Sequence, residues 1–190
     1  MNIDYLVVPL AKSAWPEGRL GYLEDQDWYC ALRYAIRLYT TAKYDNNLVV
    51  RLLTASGFQH ADSSLPEIEQ YRIVLEKYAF TEGEDYILLR EGIDTFTQLD
   101  AIFKYAKENH VKEIHLVSTR LHYLRIRWIC WRDGRKNVMH HTPKGFGGIP
   151  RLSEIKNDII LTILMPIIDI LGKRAKFQAY VASRRAKGKL

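Results

Sequence analysis

The chain has 190 residues, 47% of them hydrophobic, which is enough for one domain with a sizeable core. Its two cysteines, Cys30 and Cys130, are too few for the disulfide framework of a small secreted protein and favour a reduced, cytoplasmic chain. The net charge is +6, but residues 173–190 hold seven of the 28 basic residues and no acidic one, so 21 basic residues face 22 acidic ones elsewhere. We therefore expect a near-neutral domain over residues 1–172 and a basic helix or tail over 173–190, which disfavours nucleic-acid binding by the body.

The first half of the chain alternates short β-branched runs with longer amphipathic segments. Pro66 falls in the first turn of one such segment, where its missing N–H is tolerated. The predicted elements, in chain order, are a strand at 5–8, a loop at 11–21, a helix at 27–43, a strand at 48–54, a helix at 65–78 and a strand at 86–89.

The second half continues the alternation. Leu99, Ile102, Phe103 and Ala106 recur at helical spacing and predict one buried face. Strands that alternate with helices imply right-handed crossovers, so we predict an α/β, Rossmann-like three-layer sandwich whose mostly parallel sheet has about five strands. The remaining elements are a helix at 95–109, a strand at 113–117, a helix from there to 131, a weaker strand at 137–140, a loop at 145–148 and a helix from 151 onward.

Two segments bear on membrane insertion. Residues 1–4 lack the basic start of a secretory signal. The apolar run 159–172 contains Pro166 and Asp169 and is shorter than the roughly 20 residues that span a bilayer. We predict that it is a core helix and that the chain has no transmembrane segment.

Polar residues follow the strand at 113–117. Ser118 and Thr119 come where this strand becomes a helix, and His122 and Arg125 lie three residues apart on that helix. Ligands of open α/β sheets bind at the carboxyl ends of strands. The hydroxyls would cap the helix, or the helix N-terminus would receive an anion with Arg125 as a bidentate partner; the two roles are compatible.

The same helix leaves alternatives open. His122 is either a structural histidine or a general acid or base that faces the ligand. The arginines and tryptophans of residues 120–132 would suit nucleic acid. The preferred interpretation is that Leu121, Leu124 and Trp128 face the sheet while the arginines extend outward.

The turn after the third strand offers further candidates. Thr95 and Gln98 have the form of a capping box, with Asp94 as the alternative cap. Glu91 would hold a ribose hydroxyl, pair with Arg125 or act in catalysis, unless it is an ordinary exposed carboxylate. Adjacent histidines such as His140 and His141 point to opposite faces of a strand, so we assign no metal. Were a metal present, its ligands would be Glu67, Glu91 and His122.

Four motifs, at residues 4–10, 53–57, 91–98 and 117–125, together resemble the YdcF/SanA/ElyC-like family, also called domain of unknown function 218. The last is the most specific: a hydrophobic strand, Ser118 and Thr119, two variable positions, His122, two more and Arg125. The resemblance covers about residues 4–130. It implies that Glu91 and Thr95 belong to the site, that Glu67, or failing it Glu69, supplies the family's helix-opening glutamate, and that the function is loosely associated with the bacterial envelope.

The chain departs from this family at two turns. Residues 9–12 replace a glycine-rich turn, and Ser56, Gly57 and Phe58 replace a double glycine. Glycines let backbone N–H groups approach a phosphate closely, so a phosphate cradle at these turns is less supported.

The leading hypothesis is a protein that binds an anionic small molecule, such as a nucleotide or a phosphorylated or carboxylated metabolite, at the carboxyl edge of its sheet. An enzyme of this kind would be a hydrolase or transferase with catalytic His122 and Glu91; no cofactor is assigned. The rival is a non-catalytic interaction module whose basic tail binds nucleic acid or an acidic membrane surface. The predicted ligand-binding residues are Ser56, Gly57, Glu67, Thr95, Ser118, Thr119 and Arg125.

Overall fold

A computed structural model describes residues 3–10, 27–57, 65–143 and 152–186. In these ranges five strands form one parallel sheet, in the order β3-β2-β1-β4-β5. The central strand β1 pairs with β2 on one side (Tyr5 opposite Val50) and with β4 on the other (Tyr5 opposite Glu113). The strands are β1 (Tyr5–Pro9), β2 (Val50–Ala55), β3 (Tyr86–Leu89), β4 (Glu113–Val117) and β5 (Val138–His141).

In the described ranges, helices cover both faces of this sheet. Because successive side chains of a strand point to opposite faces, Val7 packs under α1 and α2, whereas Leu6 and Val8 pack under α3, α4 and α5. The result is the predicted three-layer α/β sandwich. The helices are α1 (Asp27–Thr40), α2 (Glu67–Lys77), α3 (Thr95–Glu108), α4 (Arg120–Arg132), α5 (Leu152–Ile170) and α6 (Arg174–Ala186).

The elements agree with the sequence prediction in type and order. Helix α1 is shorter than expected and continues as a π-helical turn, Thr41–Asp45. On α3, Leu99, Ile102 and Ala106 are buried, as their spacing predicts. The basic segment after residue 172 is helical over α6. The loops predicted at 11–21 and 145–148 lie outside the described residues.

Helix α4 departs from the predicted orientation at Leu124 and Arg125. Trp128 packs against the core and Arg127 is exposed, as predicted, and the side chain of Leu121 lies outside the described residues. Leu124 is 50% exposed, whereas Ile126 and Ile129 are fully buried and Arg125 is only 7% exposed. The prediction weighted hydrophobicity and placed the arginines outside. With Ile126 and Ile129 inward, the 3.6-residue period turns His122 and Arg125 inward as well.

Helix α5 is not a core helix, which corrects a second prediction. Its buried side includes Met165 and Asp169, but most of its isoleucines and leucines are exposed. Asp169 accepts hydrogen bonds from Trp128 Nε1 on α4 (2.9 Å) and from Arg174 on α6 (2.6 Å), so it ties three helices together. No helix in the described part of the chain is long and apolar enough to cross a membrane.

A histidine pair lies under α1. His141 Nε2 and His115 Nδ1 are 3.0 Å apart, and the ring of Tyr5 stacks on His115. His140 points to the opposite face, toward Tyr123 on α4. Burial lowers the pKa of both His140 and His141, and neighbouring His115 lowers that of His141 further. The fold therefore favours the neutral forms of these side chains.

We expect the protein to lose stability in mild acid because of these histidines. A folded-state pKa below the unfolded value of about 6.5 contributes stability that is complete above that pH and is lost as pH falls below it. The free energy of unfolding should drop by up to about 1.4 kcal/mol per pH unit for each histidine that stays neutral. Urea denaturation between pH 7.5 and 5.5 measures this slope (roughly the range in which His titrates).

The substitution His141→Gln, which keeps a neutral hydrogen-bonding side chain, should make the free energy of unfolding change less with pH. His110→Asn is the control, since His110 is exposed in a left-handed turn that asparagine tolerates. If the free energy of unfolding fell equally steeply with pH in wild type and His141→Gln, His141 would not be a cause of the acid sensitivity.

Candidate functional site

The candidate site lies where the direction of the chain across the sheet reverses. From β1 the chain proceeds to β2 and β3 on one side, then returns to β4 on the other. In open α/β sheets such a switch point leaves a crevice at the carboxyl ends of the strands. Those ends are aligned here: the amide of Leu10 donates to Val117 O (2.8 Å), and that of Ser118 donates to His141 O (3.0 Å).

Ser56 and Glu67 meet at this edge. Ser56 follows β2 and Glu67 opens α2; both are buried, and Ser56 Oγ donates to Glu67 Oε2 at 2.6 Å. A hydroxyl that donates to a carboxylate forms a short, charge-assisted bond. The proton of Ser56 is therefore directed at Glu67.

Gly57 joins the turn after β2 to the turn after β3. Its amide donates to Gly92 O at 2.8 Å, and a side chain on Gly57 would lie 3.2 Å from Arg90 O. Gly92 has φ +90°, and a Cβ there would lie 2.7 Å from Cα and N of Gln98 in the first turn of α3. Gly57 thus acts through close backbone packing, and Gly92 holds this turn against the start of α3.

Asp94, not Thr95, caps α3. Asp94 Oδ1 accepts from the amide of Thr97 (2.9 Å), and Thr97 Oγ1 accepts in return from the amide of Asp94 (3.2 Å). The capping box therefore uses Asp94 and Thr97 instead of Thr95 and Gln98. Thr95 is left for another contact: its Oγ1 lies 3.3 Å from His122 Nε2 on α4.

The start of α4 brings the strongest sequence motif to the same edge. Ser118 is buried, and Thr119 occupies the N-cap position of α4 without a side-chain capping hydrogen bond. His122 is 3% exposed and Arg125, one turn later, is also buried. The helix N-terminus carries a partial positive charge. Four predicted residues, Ser118, Thr119, His122 and Arg125, therefore share one strand-to-helix junction.

Glu91 is a predicted site residue that lies at the surface. It is exposed and makes no hydrogen bond or ion pair within the described residues. This matches the alternative of an exposed carboxylate near the edge. Glu69, the fallback for Glu67, pairs instead with Arg72 (2.6 Å) and Arg90 (2.8 Å), which hold the pKa of Glu69 below its usual range. Among the residues the structure describes, no group of three or more His, Cys, Asp and Glu side chains could hold a metal ion.

Sequence reasoning missed the role of Gly92 and left that of Asp94 undecided. A glycine two residues before a capping aspartate could have indicated this role. The turn into the helix needs a residue in the left-handed conformation there, and glycine adopts it without strain. The choice between Asp94 and Thr95 as cap depends on which residue has extended backbone. Asp94 does, with φ −145° and ψ 172°.

The opposite, amino edge of the sheet carries an open groove that shares no residue with the site. Two of its three charged side chains pair with each other: Lys112 Nζ donates to Asp4 Oδ1 at 2.6 Å, and the amide of Val49 donates to Asp4 Oδ2. We interpret this groove as a structural ion-pair surface. It is lined by Asp4, Tyr5, Leu48, Lys112, Glu113 and Asn137.

No protein-family model matches the chain, and no curated protein matches it. The resemblance to the YdcF/SanA/ElyC-like family therefore stays a prediction that rests on the four motifs.

Proposed function

We propose that this protein binds an anionic small molecule at the carboxyl edge of its sheet. The observation that carries the proposal is the concentration of buried polar side chains there. A set of polar side chains that converges on one edge of an open sheet is typical of a ligand site. Six buried polar residues of the described ranges lie at this edge or in the first two turns of helices that begin there: Ser56, Glu67, Asp94, Ser118, His122 and Arg125.

The charge pattern suggests how the ligand is oriented. Arg125 and the N-terminus of α4 would receive the anionic group, because both favour negative charge and Thr119 leaves its side chain out of capping. The Ser56–Glu67 pair would accept hydrogen bonds from a hydroxyl of the same ligand. Acceptors opposite an anion clamp suit a phosphorylated or carboxylated molecule that also carries hydroxyls, which includes nucleotides and sugar phosphates.

His122 would act on this ligand as acid or base. Thr95 lies at its Nε2 and fixes the ring against α3. A histidine held in this way can donate a hydrogen bond to a ligand oxygen or transfer a proton near neutral pH. A hydrolase or transferase reaction is the corresponding activity, and the YdcF-like resemblance supports the same location.

We expect a matching ligand to raise the melting temperature. At a concentration about 100 times Kd a ligand stabilises its protein by about 2.7 kcal/mol, which corresponds to about 5–10 °C for a chain of this size. The measurement is a thermal-shift screen with nucleotides, nucleotide sugars, S-adenosylmethionine and polyprenyl-phosphate analogues. Arg125→Ala should weaken the binding of any hit by about 100-fold, since a charge-assisted anion contact contributes up to about 3 kcal/mol.

The control is Arg127→Ala, which removes the same charge from the exposed face of α4. Arg125→Lys is a second variant that keeps the charge but loses the planar fork. Both are compared with wild type after circular dichroism has shown an unchanged helix content. A panel that shifts no melting temperature, or a hit that Arg127→Ala abolishes and Arg125→Ala does not, would contradict the proposal.

A further inference from the structure

Helix α5 exposes a continuous apolar stripe. With 100° per residue, the exposed positions between 159 and 171 fall in one arc of roughly 140°, and every residue of this stretch that falls in the arc is isoleucine or leucine. Ile163 is 59% exposed and Ile170 is 72% exposed. Asp169, the charged residue within this stretch, lies on the buried side. The stripe consists of Ile159, Ile160, Ile163, Leu164, Ile167, Ile170 and Leu171.

Positive charge follows the stripe directly. Helix α5 ends at Ile170, the turn of residues 171 and 172 follows, and the next residue is Lys173; Lys173 and Lys176 are both exposed. Residues 173–190 contain seven basic and no acidic residues. An exposed apolar arc on a helix followed by an exclusively basic segment is the pattern of helices that lie in the headgroup region of an anionic membrane.

Exposed aromatic side chains accompany these features. Tyr180 on α6 is exposed, and Trp131 is 69% exposed and packs on Trp128, whose indole N–H donates to Asp169 of α5. Tyrosine and tryptophan have an apolar ring with a polar tip and are enriched where membranes meet water.

We propose that the stripe of α5 and the basic segment after it dock this protein on the surface of an anionic lipid bilayer. The stripe enters the boundary between headgroups and acyl chains while the lysines and arginines contact lipid phosphates. The proposed contact is with the surface only, since no described helix is both long and apolar enough to cross. A second copy of the chain is the less suitable occupant, because it carries the same basic segment and adds repulsion instead of complementarity.

Vesicle co-sedimentation of the full chain tests this proposal. Phosphatidylcholine vesicles that contain phosphatidylglycerol should bind the protein, and vesicles of phosphatidylcholine alone should bind it much more weakly. The double variant Ile163→Glu, Ile167→Glu should bind at least about tenfold more weakly, because it places two charges in the apolar arc. The double variant Lys173→Gln, Lys176→Gln should bind the anionic vesicles roughly fivefold more weakly for each lysine removed, and its binding to phosphatidylcholine alone should not change.

Tyr44→Glu is the control for an added charge, since it puts one glutamate on an exposed aromatic side chain far from α5 in sequence, and it should bind like wild type. Unchanged melting temperatures show that the variants are folded, and a blue shift of tryptophan emission on vesicle addition gives an independent reading. The proposal is overturned if the glutamate double variant binds like wild type or if wild type ignores anionic vesicles. A dimer in light scattering that this variant converts to a monomer would also overturn it, by assigning the stripe to a second copy.

Discussion

Replacing Gly92 with alanine is expected to destabilise the protein by about 2–5 kcal/mol. Two costs add at this position. The backbone has φ +90°, and a left-handed conformation costs an L-residue roughly 1–2 kcal/mol. The new Cβ would also lie 2.7 Å from backbone atoms of Gln98, and overpacking of this kind typically costs about 1–3 kcal/mol.

Gly83→Ala separates these two costs. Gly83 has nearly the same backbone angle, φ +84°, but a Cβ there would meet no atom within 4 Å. It should show the conformational cost alone. Urea denaturation measures the free energy of unfolding of the two variants. The difference between them is the cost of pushing the turn after β3 away from α3. If Gly92→Ala were no less stable than Gly83→Ala, the close approach seen in the structure would be wrong.

The second large effect is expected from Asp85→Asn, with a loss of about 2–4 kcal/mol. Asp85 precedes β3 and is buried; Oδ1 accepts from Tyr39 (2.6 Å) and Lys43 (2.7 Å), and Oδ2 accepts from the amide of Thr81 (2.9 Å). An asparagine keeps the shape but turns one acceptor into a donor and leaves Lys43 without its counter-charge. Breaking a buried charged pair by removing one partner costs several kcal/mol, and less where the partner is partly exposed, as Lys43 is.

The pH dependence of stability tests whether the charged carboxylate of Asp85 is the source of this stabilisation. Burial raises the pKa of Asp85, but hydrogen bonds from Lys43 and Tyr39 outweigh it and hold the pKa below its usual range. Stability from a depressed carboxyl pKa is present above the unfolded value of about 3.9 and is lost as pH falls below it. The difference between wild type and Asp85→Asn should therefore be constant near neutrality and shrink in acid below that pH.

The control for this prediction is Asp100→Asn. Asp100 also pairs with an arginine, Arg135, but its side chain is largely exposed, and surface pairs contribute about 1 kcal/mol or less. Chemical denaturation at several pH values compares the three proteins. An Asp100→Asn effect as large as that of Asp85→Asn would show that burial is not the cause.

Periodicity predicted the architecture well because the sheet buries both of its faces. Parallel strands covered on both sides are apolar runs, and each crossover needs a helix with one apolar face. Such patterns are local in sequence. The order β3-β2-β1-β4-β5 depends on which strand edges pair, and the alternation of elements alone does not determine that order.

Helix α4 shows why the burial of Arg125 was not predicted. Leu124 and Arg125 are neighbours, and hydrophobicity favours burying the leucine. The structure buries the arginine because Ile126 and Ile129 fix the rotation of the helix. The exposed stripe of α5 is the reverse case, since apolar residues at helical spacing predict a buried face whether or not the domain supplies a neighbour.

The pairing of β1 also has a consequence for the way the chain folds. One edge of β1 pairs only with β4, which comes about a hundred residues later in the chain. The ion pair beside this junction, Asp4 with Lys112, joins residues 108 positions apart. Contacts this distant require closure of a long loop and slow the folding reaction. During synthesis, the hydrogen-bonding edge of the most central strand stays open until residues 113–117 have emerged from the ribosome. The middle strand, which has a neighbour on both sides in the finished molecule, therefore presents an open edge to aggregation during synthesis.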